Sequence, residues 1–333
     1  MTVFERVPQF VDEMRDIDRG QRIGAENDQP LARVEPQQGP ARVQNRQRAF
    51  QALEIEFFDR LIHALFIGQC QADATEDEMT SGHAALVTRQ FGARAEAYVE
   101  SSVHAQGADL DQAAALLQGQ STARVLDLGC GGGHVSFRAA PLVAEVTAYD
   151  LSVDMLAAVA RVAAERGFAN IATQQGRAET LPFPDAHFDV VLSRYSAHHW
   201  HGFGQALAEA RRVLRPGGRA LFMDVVSPGL GLLDTYLQGI ELIRDPSHVR
   251  DYSLAEWTDA LAAAGFALKS VTARRLHLDF ATWVARIATP QMQIDTIRAL
   301  QTQMSEDVAA HFAIEADGSF TIDTAAIEVA RDR

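Results

Sequence analysis

From residue 84 onward, short apolar runs alternate along the chain with amphipathic stretches of helical period. The apolar runs are predicted as strands, because continuous apolar segments of this length are typical of central parallel strands covered on both faces. These strands are predicted at 124–128, 146–150, 171–175, 188–193 and 219–225. Helices are predicted at 87–99, 109–117, 134–142, 153–166, 203–214 and 253–264, with Gly167 as a C-terminal cap. This alternation predicts an α/β fold with a doubly wound sheet and right-handed crossovers.

The two ends of the chain have other patterns. Residues 1–78 are mostly polar without an apolar period, and only 50–66 could form an amphipathic helix. We predict a poorly structured N-terminal extension, and we hypothesise that Met79 is the natural start and that the preceding codons are an over-extended reading frame. A genuine regulatory or docking extension is the competing interpretation. Residues 281–333 are predicted as a C-terminal helical tail that ends in a less regular piece around 317–318.

Composition excludes several classes of protein. A net charge of −14 argues against a nucleic-acid surface, which needs a basic stripe. No apolar stretch reaches 18 residues, so no membrane span is expected, and the N-terminus lacks the pattern of a secretory signal. Cys70 and Cys130 lie in unrelated segments, so a reducing cytoplasm is the expected location. The oligomeric state is left open.

A glycine-rich segment carries the first chemical signal. Residues 125–133 read Val-Leu-Asp-Leu-Gly-Cys-Gly-Gly-Gly, and Asp150 follows at the tip of the next strand. Such a unit brings backbone close to a nucleotide-like ligand, and the carboxylate binds its ribose hydroxyls. A dinucleotide fits poorly, because His134 stands where the last glycine belongs and Asp127 would repel phosphates. Asp127 suits a cationic ligand that carries an amine and a sulfonium.

These residues resemble the class I S-adenosylmethionine (SAM)-dependent methyltransferases, and in particular the UbiE-like branch with its YafE-like members. The resemblance is carried by 125–133, 149–156, 176–185, 193–200 and 214–218. It implies a Rossmann-like, mostly parallel seven-stranded sheet with a reversed terminal strand, placed as a strand pair at 268–280. The implied domains are a helical lid or N-terminal part of the methyltransferase at 79–120 and a catalytic domain at 121–280, with an acceptor-binding insert at 230–252.

The resemblance also implies the donor site. Gly129, Gly131 and Gly133 form the loop beside the methionine and ribose portions of SAM, and Asp127 reaches the amino group directly or through water. Asp150 accepts bonds from both ribose hydroxyls, although a simple helix cap is the alternative. Leu151 and Met155 face the adenine ring, although Met155 could equally be core. Because Arg177 replaces the Asp that the family often has, backbone at Ala178, with Glu179, is predicted at the adenine edge. Ser193, at the end of the fourth strand, is the last residue predicted to bind SAM.

Methyl transfer needs positioning and desolvation, and it needs a base only when the acceptor must lose a proton. We predict that His198 or His199 orients or deprotonates the acceptor; structural hydrogen bonding is the alternative, and spacing suggests no metal site. Residues 91–98 and His104 could form a lid, with Tyr98 aimed at the donor's carboxylate, and Arg244, His248 and Arg250 could hold the acceptor. The predicted function is methyl transfer to a small-molecule carbon or oxygen acceptor. A catalytically inactive SAM-binding sensor or subunit is the alternative.

Overall fold

The computed structural model describes residues 82–92 and 107–332, so Tyr98, His104 and the N-terminal extension lie outside the described residues. The helices are α1 (82–92), α2 (Ala108–Leu117), α3 (His134–Ala139), α4 (Val153–Glu165), α5 (Phe203–Val213), α6 (Gly231–Arg244), α7 (Leu254–Ala263), α8 (Phe280–Arg286), α9 (Gln291–Gln303) and α10 (Glu306–His311). The strands are β1 (Arg124–Leu128), β2 (Glu145–Asp150), β3 (Ile171–Gln175), β4 (Phe188–Arg194), β5 (Leu214–Val225), β6 (Ala267–Leu278) and β7 (Phe320–Ala330). Short 3₁₀ turns occupy Ala140–Leu142 and Ala197–His199.

The strands form one seven-stranded sheet in the order β3-β2-β1-β4-β5-β7-β6. Strands β1 to β5 run parallel to one another, and β7 runs antiparallel to both β5 and β6. The predicted doubly wound, mostly parallel sheet with one reversed strand is therefore confirmed.

The central strands are continuously apolar because both faces of the sheet are covered. Side chains alternate between faces along a strand, and Val125 packs with α2 and α3 whereas Leu126 packs with α5 and α7. Helix α2 thus covers one face of the sheet.

Local signals set the helix ends. Ser152 caps α4 by accepting a hydrogen bond from the Met155 amide, and Gly167 after the same helix has a φ of +76°. Ser253 and Glu256 form a capping box at the start of α7. One boundary differs from expectation, because β5 begins at Leu214 and passes through the Pro-Gly-Gly turn with an irregular register.

The reversed strand lies where we predicted the end of a helical tail. Residues 268–280 supply only one member of the expected pair, namely β6, and its partner is β7 at the end of the chain. Helices α8, α9 and α10 agree with the predicted tail, but the prediction was wrong for residues 320–330. Phe320, Ile322 and Thr324 alternate at strand period, and β7 is buried because it pairs with a strand on each side.

A separate apolar cluster covers the carboxyl end of β5. It joins α6 to α8, α9 and α10, for example through Tyr236 and Phe312, whose ring centroids are 4.9 Å apart. The predicted insert therefore packs against the C-terminal helices. Within the described ranges, every helix is too short or too polar to cross a bilayer.

Candidate active site

A pocket opens at the carboxyl ends of β1, β2 and β4, where ligands bind in open α/β sheets. Its volume is about 880 Å³, including open solvent. Eight of the predicted site residues line it: Gly129, Gly131, Asp150, Leu151, Met155, Ala178, Glu179 and His199. We call this the donor pocket.

Asp150 stands at the tip of β2 with its carboxylate held by backbone. The Gly131 amide donates to Oδ2 at 2.8 Å, and the Ser152 amide donates to Oδ1 at 2.9 Å. Each carboxylate oxygen has a second acceptor position, so two donors from a ligand can still be bound. Burial raises the pKa of Asp150, and the backbone hydrogen bonds oppose that rise by favouring the ionised form. This arrangement fits a pair of ribose hydroxyls.

Gly129 and Gly131 share a left-handed backbone conformation but differ in their surroundings. Both have positive φ, +73° and +48°. A Cβ at Gly129 would lie 1.8 Å from Oγ of Ser196, whereas a Cβ at Gly131 would meet no atom within 4 Å. Ser196 in turn accepts a hydrogen bond from the Trp200 indole at 3.1 Å. The loop after β1 thus packs directly against the segment after β4.

Three predicted donor-site residues do not line the pocket. The Asp127 carboxylate lies beneath the loop, where the backbone amide and hydroxyl of Ser136 donate to Oδ2, and burial raises its pKa to about 7. Asp127 therefore stabilises the first turn of α3, and its contact with the donor's amino group, directly or through water, stays a prediction. Gly133 begins α3 and packs against Val159, and Ser193 is buried within the sheet.

The remaining donor-site residues form the far wall. Met155 is buried at the first turn of α4 yet contacts the pocket beside Leu151, so it serves both core and pocket. Arg177 also lines the pocket and pairs with Glu179 at 3.6 Å. Glu179 accepts a hydrogen bond from the Gly202 amide at 3.1 Å, which ties the loop after β3 to the start of α5.

A second pocket of about 820 Å³, open solvent included, adjoins the first. Phe91, Tyr195 and His199 line both, so these three residues mark the junction. Tyr195 has a φ of +51°, a conformation that is rare and strained for a non-glycine residue. The Arg194 guanidinium lies 4.7 Å from the centre of its ring and is itself paired with Asp109 at 2.5 Å. We call the second pocket the acceptor pocket.

His198 lines the acceptor pocket and forms an ion pair with Asp224. Its Nδ1 is 2.6 Å from Oδ1 of Asp224, and the Ala197 amide donates to the other carboxylate oxygen. Burial by itself lowers the pKa of His198, but the charge and hydrogen bond of Asp224 outweigh burial and raise the pKa to about 9. The ring is therefore protonated at neutral pH.

His199 has the opposite protonation state. Its Nδ1 donates to the Ser247 carbonyl at 3.0 Å, which leaves a lone pair on Nε2 in the neutral ring. Burial and the adjacent charge of His198, whose ring centroid is 4.2 Å away, lower the pKa of His199 to about 4. Phe91 from α1 packs edge-on against the same ring at 5.1 Å.

Some functional residues were not identified from the sequence. His83 and Val87 of α1, and Ser196 and Trp200 after β4, also line the donor pocket. The acceptor pocket includes residues from the C-terminal third, namely Leu276, Leu278, Trp283, Arg286 and Ile322. No motif indicated them, because they converge only when β6, β7 and α8 fold together.

The predicted acceptor cations are only partly in place. Arg244 lines the acceptor pocket, where it lies over the Trp283 ring at 4.6 Å. His248 is hydrogen-bonded to Gln238 at 2.9 Å, and Arg250 is paired with Asp234 and Glu256. Neither His248 nor Arg250 lines this pocket, and their role in holding an acceptor stays a prediction.

Comparison with known proteins agrees with this fold. The model of a methyltransferase domain matches residues 126–222. The chain is 48% identical to the uncharacterised protein YafE of Escherichia coli over 195 residues, which is 59% of this chain and 94% of YafE. It is 36% identical over 200 residues to the uncharacterised methyltransferase YcgJ of Bacillus subtilis, covering 60% of this chain and 79% of YcgJ. The YcgJ crystal structure superposes with a TM-score of 0.65 and 31% identity, covering 68% of this chain and 98% of that one.

A more distant relative matches only the central part of the chain. The ubiquinone/menaquinone biosynthesis C-methyltransferase UbiE of Ectopseudomonas mendocina is 38% identical over 121 residues, or 34% of this chain and 47% of that protein. Together the matches show that this chain belongs to the class I SAM-dependent methyltransferases.

Proposed function

We propose that this protein transfers a methyl group from SAM to a carbon or oxygen atom of a small molecule bound in the acceptor pocket. The observation that carries the proposal is the pair of adjoining pockets with Phe91, Tyr195 and His199 at their junction. A sulfonium bound in one pocket and an acceptor bound in the other would meet there, as an in-line displacement requires.

The donor's parts are assigned to residues by their chemistry. The ribose hydroxyls would be bound by Asp150, the adenine ring by Leu151 and Met155, and its edge by the segment at Ala178 and Glu179. Backbone at Gly129 and Gly131 would lie along the methionine portion. SAM supplies an electrophilic methyl group, and the protein's part is to bind, orient and exclude water.

The acceptor would be oriented by the two histidines and enclosed by α1 on one side and the C-terminal helices on the other. UbiE, by its name, methylates carbon, which supports carbon as one candidate atom; the polar residues of the pocket support oxygen as well. The inactive alternative predicts an occluded acceptor pocket, and the second pocket weighs against it.

The first test is donor binding. Replacing Asp150 with Ala should weaken S-adenosylhomocysteine binding by roughly 1–3 kcal/mol, because charged hydrogen bonds are lost. Titration calorimetry measures this, with Asp150→Asn as the isosteric variant and Glu165→Gln as a surface control. NAD should not bind. Wild-type affinity in both Asp150 variants would refute the assignment.

The second test is turnover. Radiolabelled methyl-SAM is incubated with the full-length protein and a small-molecule extract, and transfer of label to any compound is scored. Absence of transfer, with donor binding intact, would remove the proposed activity.

A further inference from the structure

One ring nitrogen of His198, Nε2, is available to a ligand. Its Nδ1 donates to Asp224, whose carboxylate is held in turn by the Ala197 and Val225 amides at 2.9 and 2.8 Å. Within the described residues, Nε2 of His198 has no protein partner, although the side chain lines the acceptor pocket. Because the ring is held protonated, Nε2 presents an N–H donor and a positive charge to whatever binds there.

Neither histidine of this pair is suited to act as a general base. General bases work best when their pKa is near the working pH. His198 already carries its proton, and His199 binds one only near pH 4, because it is buried beside a cation. A phenol or carbon acid would have to lose a proton here, whereas an acceptor that arrives ionised would not.

Other acidic and basic side chains surround His198. Asp251 and Glu241 both have raised pKa values, chiefly because they are buried, which favours their neutral forms. The cationic side of the pocket consists of Arg244, which pairs with Glu241 at 3.5 Å, and Arg286. The titratable and charged groups that surround His198 are Asp224 of β5, Glu241 and Arg244 of α6, His199, Arg286 of α8, and Asp245, His248 and Asp251 of the loop after α6.

The other wall of the acceptor pocket is apolar. Val225, Leu278 and Ile322 line it together with Leu276 and the Trp283 ring. Such a surface binds hydrocarbon by excluding water. The pocket thus combines a protonated end at His198 with an apolar end, which suits an amphipathic anion.

We infer, on the basis of the proposed function, that the acceptor is an amphipathic carboxylic acid whose carboxylate is held by Nε2–H of His198 and receives the methyl group as an ester. A carboxylate oxygen lone pair forms the new O–C bond while the C–S bond breaks and its electron pair stays on sulfur. The carboxylate and the sulfonium both become neutral, and no proton is transferred. Burial favours a step that removes two opposite charges from a site of low polarity.

The chemistry of the product tests this inference separately from the activity. Full-length protein is incubated with methyl-labelled SAM and the small-molecule extract, and the product is then treated with mild alkali. A methyl ester releases labelled methanol, whereas a C-methyl, N-methyl or aryl ether product retains the label. Base-labile label is the expected result. Base-stable label would overturn the carboxylate inference and leave the methyltransferase activity standing, and no label would contradict both.

A binding measurement provides a readout without turnover. Decanoate, decanol and decylamine share a chain and differ in head group, and each is titrated into the protein saturated with S-adenosylhomocysteine. We expect decanoate to bind at least ten-fold more tightly than the other two at pH 7, and equal or weaker binding of decanoate would contradict the inference. His198→Gln should abolish this preference, and His277→Gln, an exposed histidine outside both pockets, should keep it.

The pH profile separates an ionised acceptor from a base mechanism. With the labelled acid as substrate, the rate should stay level between pH 7 and pH 8 and fall as pH rises through about 9, when His198 loses its proton. If the neutral His198–Asp224 pair acted as the base, the rate would rise over the same range. Asp224→Asn removes the charge that holds the proton and should move the fall to lower pH; donor binding by each variant confirms that it is folded.

Discussion

The two pockets differ in how their walls are assembled. The donor pocket is built largely from short segments that follow β1, β2, β3 and β4, together with residues of α1. The acceptor pocket joins residues from Phe91 to Ile322 and depends on side chains of β6, β7 and α8. The first is local in sequence and the second is made by tertiary packing. Their sensitivity to mutation should therefore differ in the same way.

The largest expected effect is on the acceptor wall. Trp283 is 2% exposed and packs on Phe320 and Arg244. Trp283→Ala should lower the free energy of unfolding by about 3–5 kcal/mol, the usual range for deleting a buried tryptophan. Urea unfolding measures this. The affinity for S-adenosylhomocysteine at low temperature should change less than two-fold, because Trp283 does not line the donor pocket.

The control for Trp283 is Met292→Ala on α9, where the side chain is 77% exposed. It should change stability by less than about 0.5 kcal/mol. A large loss of donor affinity in Trp283→Ala would show that the two pockets are not energetically separate.

The next effect is on the donor loop. Gly129→Ala places a methyl group against Ser196 and strains a left-handed residue, so it should lower stability by about 2–4 kcal/mol and reduce donor affinity. Gly131→Ala has the strain without the clash and should lose only about 1–2 kcal/mol. Unfolding and calorimetry measure both variants.

A second substitution sharpens this comparison. Ser196→Gly removes the two atoms nearest to the added methyl group, so in a double-mutant cycle it should recover about 1–3 kcal/mol in Gly129→Ala and nothing in Gly131→Ala. Equal losses for Gly129→Ala and Gly131→Ala would mean that the contact with Ser196 does not constrain the loop.

The pH dependence of stability is an effect similar in size to that of Gly131→Ala. The folded-state pKa of His198 is raised from 6.5 to about 9, so its contribution is fully present below pH 6.5 and is lost as pH rises through about 9. Between pH 6.5 and 8.5 this should remove about 2 kcal/mol of the free energy of unfolding. Urea unfolding at the two pH values, compared with His198→Gln, isolates the contribution, and a parallel decline in the variant would assign it elsewhere.

His199 has the opposite linkage. Its folded-state pKa is lowered to about 4, so the unfolded chain takes up a proton first and stability falls as pH drops below 6.5. The two adjacent histidines therefore limit stability on opposite sides of neutrality.

Much of the fold follows from local pattern. The apolar runs of β1, β2 and β4 and the cap Gly167 were recognisable because period, burial and backbone preference agree there. The final strand was not predicted. In the chain, 41 residues separate the end of β6 from the start of β7, and only the pairing of β7 with β5 and β6 distinguishes it from an irregular end.

The sequence by itself predicted the glycine loop after β1 and the acid at the tip of β2 that line the donor pocket, since a glycine-rich turn after one strand and an acid at the end of the next have few alternative uses. Only the tertiary structure decided the roles of the remaining residues. It turned Asp127 under the loop and set Asp224 against His198, so that one of two identical side chains is charged and its neighbour neutral. A protonation state depends on the distances to distant charges and on burial, and neither is encoded in local spacing.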